Sequence, residues 1–119
     1  MTENEPHVVF ITAGSEDEAA TIGRTLVEER LAACANIVPQ IRSIYRWRGK
    51  VEDEPEALMF LKTTRAQLQA LIQRAGELHS YEVPGITALS IVEGHPPYLD
   101  WIQENTSGRP DRNGCGGRP

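Results

Sequence analysis

Hydrophobic residues follow two different periods along this chain, and the change from one period to the other predicts the order of its elements. Residues 7–13 and 86–92 are apolar or β-branched over the length of a strand. Residues 19–31 and 68–78 carry apolar side chains at helical spacing, which predicts two amphipathic helices. A third, shorter helix is predicted to begin at Pro96, because proline is favoured in the first helical turn.

The starts of the first two helices match capping boxes. Ser15 is followed three residues later by Glu18, and Thr64 is followed at the same spacing by Gln67. In such a box each side chain accepts a hydrogen bond from a backbone N–H that the helix leaves unpaired. We therefore predict that Ser15 and Thr64 are N-cap residues.

Residues 32–64 are typical of one very long β-hairpin that turns near Gly49. Between Ile37 and Trp47 the odd positions are mostly apolar or aromatic, which is the period of a strand. Strands of this reach span roughly 40 Å at about 3.3 Å per residue, far beyond the usual length of about five or six residues. We expect such a hairpin to project beyond its own domain and to need a partner.

The predicted order is βαββαβ with an extra C-terminal helix, which indicates an α+β sandwich of the ferredoxin-like class. Both main helices are expected on one face of an antiparallel sheet. Residues 1–106 form the predicted domain. Residues 107–119 are rich in glycine, proline and arginine, which predicts a flexible tail that contains Cys115.

Composition narrows the class of protein. The chain has 119 residues, 39% hydrophobic content and a net charge of −5, which argues against nucleic acid as a main ligand. No apolar run approaches the roughly 18 residues of a membrane span, and the first residues do not resemble a signal peptide. We expect a cytoplasmic protein, with Cys34 and Cys115 as free thiols.

Several blocks, in the same order along the chain, closely resemble the CutA family of divalent-cation tolerance proteins. The resemblance covers about residues 8–106. Its blocks are residues 29–37, 45–56, 61–64, 79–84 and 98–101. It implies a ferredoxin-like fold and a homotrimer in which each long hairpin pairs across to neighbouring subunits. The implied interface residues are Ile41, Tyr45 and Trp47, and exposed strand edges with aromatic side chains suit such an interface.

Candidate metal ligands are His79, Glu82 and Cys34, because imidazole, carboxylate and thiolate together can hold copper or another divalent cation. The resemblance also implies copper, bound in some members by a cysteine in the first strand and by a His-His pair. In this chain those positions read Ile11 and Leu78-His79, so only His79 is retained.

Two of these candidate ligands, His79 and Cys34, have a structural alternative. His79 can cap the second helix while Tyr81 packs its ring, and Cys34 can be a buried core thiol. An enzyme would use Cys34 as nucleophile and His79 as base, with Glu82 orienting the base. No convergent set of acid and base residues demands this, so we expect a protein without catalytic turnover.

The tip of the hairpin is charged. Arg46, Arg48 and Lys50 precede an acidic run at 52–56, so folding back predicts ion pairs between the strands.

Two alternative functions remain open. Arg46, Lys62 and Tyr81 could line an inter-subunit cleft for a small anionic effector, by analogy with the nitrogen-regulatory PII trimers. A structural trimer that serves as a scaffold is the other alternative. The favoured hypothesis is a trimeric divalent-cation tolerance protein that binds copper or another divalent metal.

Overall fold

The computed structural model describes residues 2–107. The predicted tail and Cys115 lie outside the described residues, apart from Ser107. The elements are β1 (Pro6–Ala13), α1 (Glu16–Glu28), β2 (Cys34–Trp47), β3 (Lys50–Thr64), α2 (Arg65–Leu78), β4 (Ile86–Ser90) and α3 (Pro96–Asn105). None of the helices among these residues has the length and apolar character needed to cross a membrane.

The strands of this part of the chain form one four-stranded sheet in the order β2-β3-β1-β4, and every neighbouring pair is antiparallel. The crossovers through α1 and α2 return the chain to the same sheet. The α+β class and the order of elements predicted from the sequence are confirmed.

The core lies between one face of the sheet and the helices α1 and α2. Alternate residues of β1 and β3 are buried there, since side chains of a strand point to its two faces in turn. Its largest members are Val9, Ile11, Ile22, Leu26, Met59, Leu61 and Leu71, each at most 1% exposed. On the second face, the rings of Phe10 and Phe60 meet edge to face at 5.2 Å and remain half-buried.

Helix α1 begins as predicted. Ser15 Oγ accepts a hydrogen bond from Glu18 N at 3.1 Å. The Glu18 carboxylate reaches back one residue further than in a standard box and accepts from Gly14 N at 3.2 Å. The three acidic residues of the first turn also face the positive end of the helix dipole.

The capping box predicted for α2 is wrong. Thr64 is the N-cap residue, but its side chain makes no cap hydrogen bond. Its hydroxyl lies 3.4 Å from the hydroxyl of Thr106, and Gln67 Nε2 donates to Thr106 O at 3.0 Å. Both side chains instead hold the end of α3 against the sheet, a tertiary contact that the local sequence does not reveal.

The β2–β3 hairpin contains a bulge and ends in a tight turn. Ile37 pairs with Met59, whereas Ile41 pairs with Glu56, so β2 has one extra residue between Val38 and Ile41. Pro39 lies in this segment and has no N–H to give to a ladder. The turn residues Arg48 and Gly49 have φ of 49° and 80°, which matches a two-residue turn with left-handed backbone at both positions.

The outer half of the hairpin is a two-stranded ribbon. Strand β1 pairs with β3 only as far as Ala13 opposite Ala57, while β2 and β3 continue to the pair Trp47 and Lys50. Within the described part of one chain, residues 41–56 therefore have neighbours in the sheet only from each other. We call this segment the ribbon.

Two glycines on different helices give a matched test of the packing. A Cβ at Gly23 in α1 would lie 2.8 Å from Met59 Sδ and 2.9 Å from Ala35 Cβ, whereas a Cβ at Gly76 in α2 would meet nothing within 4 Å. Gly23→Ala should lower the free energy of unfolding by about 1–3 kcal/mol through overpacking. Gly76→Ala should raise it by about 0.5–1 kcal/mol through helix propensity. Thermal unfolding at one fixed protein concentration measures both, and a stabilised Gly23→Ala variant would contradict this packing.

Candidate functional site

A large groove lies between the ribbon and the loop that joins α2 to β4. Its volume is about 730 Å³, within the range of small-molecule sites. We call it the ribbon groove. It is lined by Thr12, Ser43, Ile44, Tyr45, Trp47, Arg48, Glu54, Glu56, Tyr81, Glu82, Val83 and Gly85.

Two tyrosines in the groove each donate to a glutamate. Tyr81 OH donates to Glu56 Oε2 at 2.8 Å, and Tyr45 OH donates to Glu54 Oε2 at 3.2 Å. Burial and the Glu56 carboxylate raise the pKa of Tyr81 well above its ordinary value. Desolvation and the Glu54 carboxylate also raise the pKa of Tyr45. Both phenols therefore remain protonated donors, and both glutamates act as acceptors.

An ion pair joins the tip of the ribbon to the α2–β4 loop. Arg48 Nη2 lies 2.6 Å from Glu82 Oε2. The Arg48 guanidinium also lies 5.3 Å from the ring centroid of Trp47. Both charged side chains are mostly exposed, at 70% and 66%, so the pair orients the tip more than it stabilises the fold.

His79 lies at the junction of α2, the following loop and β1. It is the C-cap residue of α2, as its structural alternative predicts. Its Nε2 lies 2.7 Å from the carbonyl oxygen of Thr12, and its Nδ1 lies 3.1 Å from the backbone N of Tyr81. The Tyr81 N–H donates to Nδ1, so these neighbours specify the tautomer with its proton on Nε2. Both ring nitrogens are therefore used in holding the junction.

The Glu18 carboxylate completes this junction. Its Oε1 accepts from Gly14 N, and its Oε2 accepts from Ser80 N at 2.9 Å. Burial alone would raise the pKa of Glu18, but the hydrogen bonds from Ser80 and Gly14 outweigh burial and lower the pKa below its ordinary value. One ionised side chain thus ties the start of α1 to the loop after α2.

Cys34 lies at a different place, where β2 begins. Its Sγ is 3.6 Å from Tyr98 OH and 3.9 Å from Asn36 Oδ1. Lys62, the cross-strand neighbour of Cys34, donates to Asn36 Oδ1 at 3.3 Å and lies 5.9 Å from the Tyr98 ring centroid. Burial and the contact with Cys34 raise the pKa of Tyr98 to about 12. Cys34 is a free, half-buried thiol.

The structure does not bring the three predicted metal ligands together. Cys34 opens β2, whereas Glu82 contacts Arg48 just beyond the other end of that strand, roughly 40 Å away at about 3.3 Å per residue. Within residues 2–107 no group of three or more His, Cys, Asp or Glu side chains could hold a metal ion. Ile11, which the resemblance aligns with a cysteine of some members, is fully buried in the core.

The predicted effector residues are also spread out. Arg46 pairs with Val51 near the tip, and Lys62 pairs with Cys34 at the base, roughly 35 Å apart along the ladder. Tyr81 lies in the ribbon groove. The nucleophile and base of the enzyme alternative have separate partners, since Cys34 contacts Tyr98 and His79 contacts Thr12.

The cross-strand ion pair of the ribbon involves Arg42, and not the basic residues near the turn that were predicted to form such pairs. The turn register places Arg46 opposite Val51 and Lys50 opposite Trp47, so neither base faces the acidic run. Arg42, further from the turn, makes the cross-strand pair through two hydrogen bonds of 2.9 Å and 2.7 Å to Asp53.

Three carboxylates that shape the site were not predicted as site residues. Glu54 and Glu56 line the ribbon groove, and Glu18 holds the junction beside it. The available signal was the alternation of Glu52, Glu54 and Glu56, which places three carboxylates on one face of a strand. For Glu18 no sequence signal existed beyond its role in the cap.

Glu18 makes the junction sensitive to acid. Because its pKa is lowered in the folded state, its contribution to stability is present at neutral pH and is lost as pH falls through that pKa. Glu18→Gln should lower the free energy of unfolding by about 1–2 kcal/mol at neutral pH and should flatten the loss of stability between neutral pH and about pH 3.

Urea unfolding at a series of pH values measures this effect. Glu16→Gln is the matched control, because Glu16 is exposed in the same helical turn and lies near the same end of the helix dipole. Equal pH profiles for the Glu18 variant and the unmodified protein would contradict the assigned role.

The chain matches a known protein family over most of its length. The model of the family "CutA1 divalent ion tolerance protein" matches residues 7–105. The divalent-cation tolerance protein CutA of Thermus thermophilus is 54% identical over 99 residues, which are 83% of this chain and 96% of that protein. Protein CutA of Mus musculus is 45% identical over 97 residues. The match covers 82% of this chain but only 55% of the mouse protein.

Solved structures agree with the family match. The Thermus thermophilus protein superposes with a TM-score of 0.82 at 53% identity, covering 85% of this chain and 98% of that one. CutA1 from Oryza sativa superposes with a TM-score of 0.84 at 36% identity. The superposition covers 88% of this chain and 96% of the Oryza sativa chain. The predicted resemblance is confirmed, and this chain belongs to the CutA1 family of divalent ion tolerance proteins.

Proposed function

We propose that this chain is a homotrimeric divalent-cation tolerance protein of ferredoxin-like topology, and that it works without catalytic turnover. One observation carries the proposal of assembly. The ribbon continues well beyond the end of β1, and no third strand from residues 2–107 pairs with it on either side. Unpaired strand edges favour pairing with another chain, and a two-stranded ribbon is marginal by itself in water.

The side chains of the ribbon support the same conclusion. Tyr45 and Trp47 are 39% and 40% exposed, and Ile44 and Val51 are each 64% exposed. Covering these apolar surfaces in an assembly would contribute roughly 25 cal/mol per Å² of apolar area. Ile41, at the start of the ribbon, is already half-buried within one chain.

A resident metal ion at the predicted ligands does not fit this conformation. Both nitrogens of His79 are hydrogen-bonded to backbone atoms, and Glu82 is paired with Arg48. A site that used Cys34 together with Glu82 would have to combine different subunits. We therefore propose that tolerance to copper or other divalent cations depends on the trimer and not on a metal centre at His79.

The alternatives have less support. An anionic effector would need Arg46 and Lys62 from different chains, because they stand at opposite ends of one ladder. No contact within residues 2–107 favours the scaffold. The cytoplasmic location stays a prediction, since relatives include one called chloroplastic in Arabidopsis thaliana and one called periplasmic in Archaeoglobus fulgidus.

Trp47 tests the proposed assembly. Trp47→Ala should shift the protein from trimer towards monomer and lower the melting temperature, because it removes a large apolar side chain from the proposed interface. Native mass spectrometry over a range of protein concentrations measures the first effect. Val92→Ala is the control, since Val92 is 91% exposed and lies outside the ribbon. A wild-type protein that is monomeric at all concentrations would refute the trimer.

Metal uptake can be measured on the same samples. Titration with Cu²⁺ and Zn²⁺ should give the same uptake in the wild type and in the His79→Ala variant. Glu82→Gln should behave likewise. Loss of one bound ion per subunit in the His79 variant, with the trimer intact, would contradict the proposal and would place a metal site at His79.

A further inference from the structure

The ribbon groove has a charge opposite to the one that an anionic effector needs. Among the described residues, three carboxylates line it, from Glu54, Glu56 and Glu82. The single basic residue of this lining is Arg48, and its guanidinium is already paired with Glu82. The net character of the groove is therefore negative, so it attracts cations.

The carboxylates of the groove have oxygen atoms that make no hydrogen bond within the described residues. Each of the three carboxylates uses its Oε2 in the contacts described above. Within residues 2–107 no hydrogen bond involves the Oε1 of Glu54 or of Glu56, although Glu56 is only 9% exposed. The Oε1 atoms of both carboxylates are therefore available to attract the positive charge of a ligand.

Aromatic rings complete the lining. Tyr45, Trp47 and Tyr81 border the same groove as the carboxylates. The faces of aromatic rings attract cations, and ammonium groups with hydrocarbon substituents benefit most because they give up little hydration. Trp47 already makes such a contact with Arg48.

We propose that the ribbon groove binds a small organic ammonium ion. The ammonium group lies between the carboxylates of Glu54 and Glu56, and its hydrocarbon part packs against the rings of Tyr45, Trp47 and Tyr81. A bare divalent cation fits less well, since no group of three or more suitable ligands is found among the described residues. The volume of about 730 Å³ leaves room for an organic ligand.

This inference goes beyond cation tolerance and does not depend on it. In the proposed trimer, neighbouring subunits cover only part of the exposed surfaces of Tyr45 and Trp47, and the part that borders the groove stays free for the ligand. Binding must therefore be measured on the assembled full-length protein. A neighbouring subunit that fills the groove would abolish binding and overturn the proposal.

Fluorescence of Trp47 reports on the groove directly. The chain has two tryptophans, and Trp101 stacks on Tyr98 in α3, so Trp101→Phe leaves Trp47 as the sole indole. Titration of this variant with choline should give a saturable change in emission. The neutral isostere 3,3-dimethyl-1-butanol, which has the same shape without the charge, should bind at least about tenfold more weakly.

Charge variants locate the site. Glu56→Gln and Glu54→Gln should each weaken choline binding about tenfold, the loss expected for one charged partner. The second variant keeps the test decisive if the first does not fold, because Glu54 is exposed whereas Glu56 is buried. Glu28→Gln, an exposed residue of α1 outside the lining, should have no effect.

Four outcomes would overturn the proposal. These are the absence of saturable binding, equal binding of the neutral isostere, equal weakening by Glu28→Gln, and stronger binding of the anion citrate than of choline. The last outcome would favour the anionic effector instead.

Discussion

The ladder between β2 and β3 is the constraint on which the rest of this structure depends. In its inner half, β3 also pairs with β1. In its outer half, β2 and β3 pair only with each other within the described chain. A β-ribbon with two open edges does not satisfy its own backbone or cover its own side chains. The rings of Tyr45 and Trp47, for example, remain partly exposed to solvent within one chain. We infer that pairing with neighbouring subunits completes the ribbon.

The junction at His79 shows why residue type alone is a poor guide to a metal site. Imidazole is the commonest metal ligand, yet this ring uses both nitrogens to join α2, the next loop and β1. The ionised Glu18 fixes the adjacent backbone at Ser80. The two side chains thus set the position of the α2–β4 loop and, through it, of Tyr81 and Glu82 in the ribbon groove. A residue that resembles a ligand here shapes a neighbouring site.

Local patterns predicted the elements, the α+β class and the cap at Ser15, because each depends on residues close in sequence. The capping box at Thr64 failed because Thr106, far along the chain, offers the same polar groups a tertiary partner. The ribbon groove could not be predicted either. It needs the register of β3 and the loop at Tyr81 together, and neither is encoded locally. From the sequence, Glu54 and Glu56 were recognised only as members of an acidic run and were not predicted as residues of a site.

The bulge next to Pro39 decides the chemistry of the groove. Before the bulge Ile37 pairs with Met59, and an unbroken ladder from that pair would place Tyr45 opposite Val51. The extra residue instead places Tyr45 opposite Glu52, so the odd residues of β2 share a face with the even residues of β3. Without this shift the face of Tyr45 and Trp47 would carry Val51, Asp53 and Pro55 in place of Glu52, Glu54 and Glu56. The extra residue in β2 therefore places the aromatic side chains Tyr45 and Trp47 on the same face of the ribbon as the glutamates of β3, and this is the face that the proposed ammonium ion would contact.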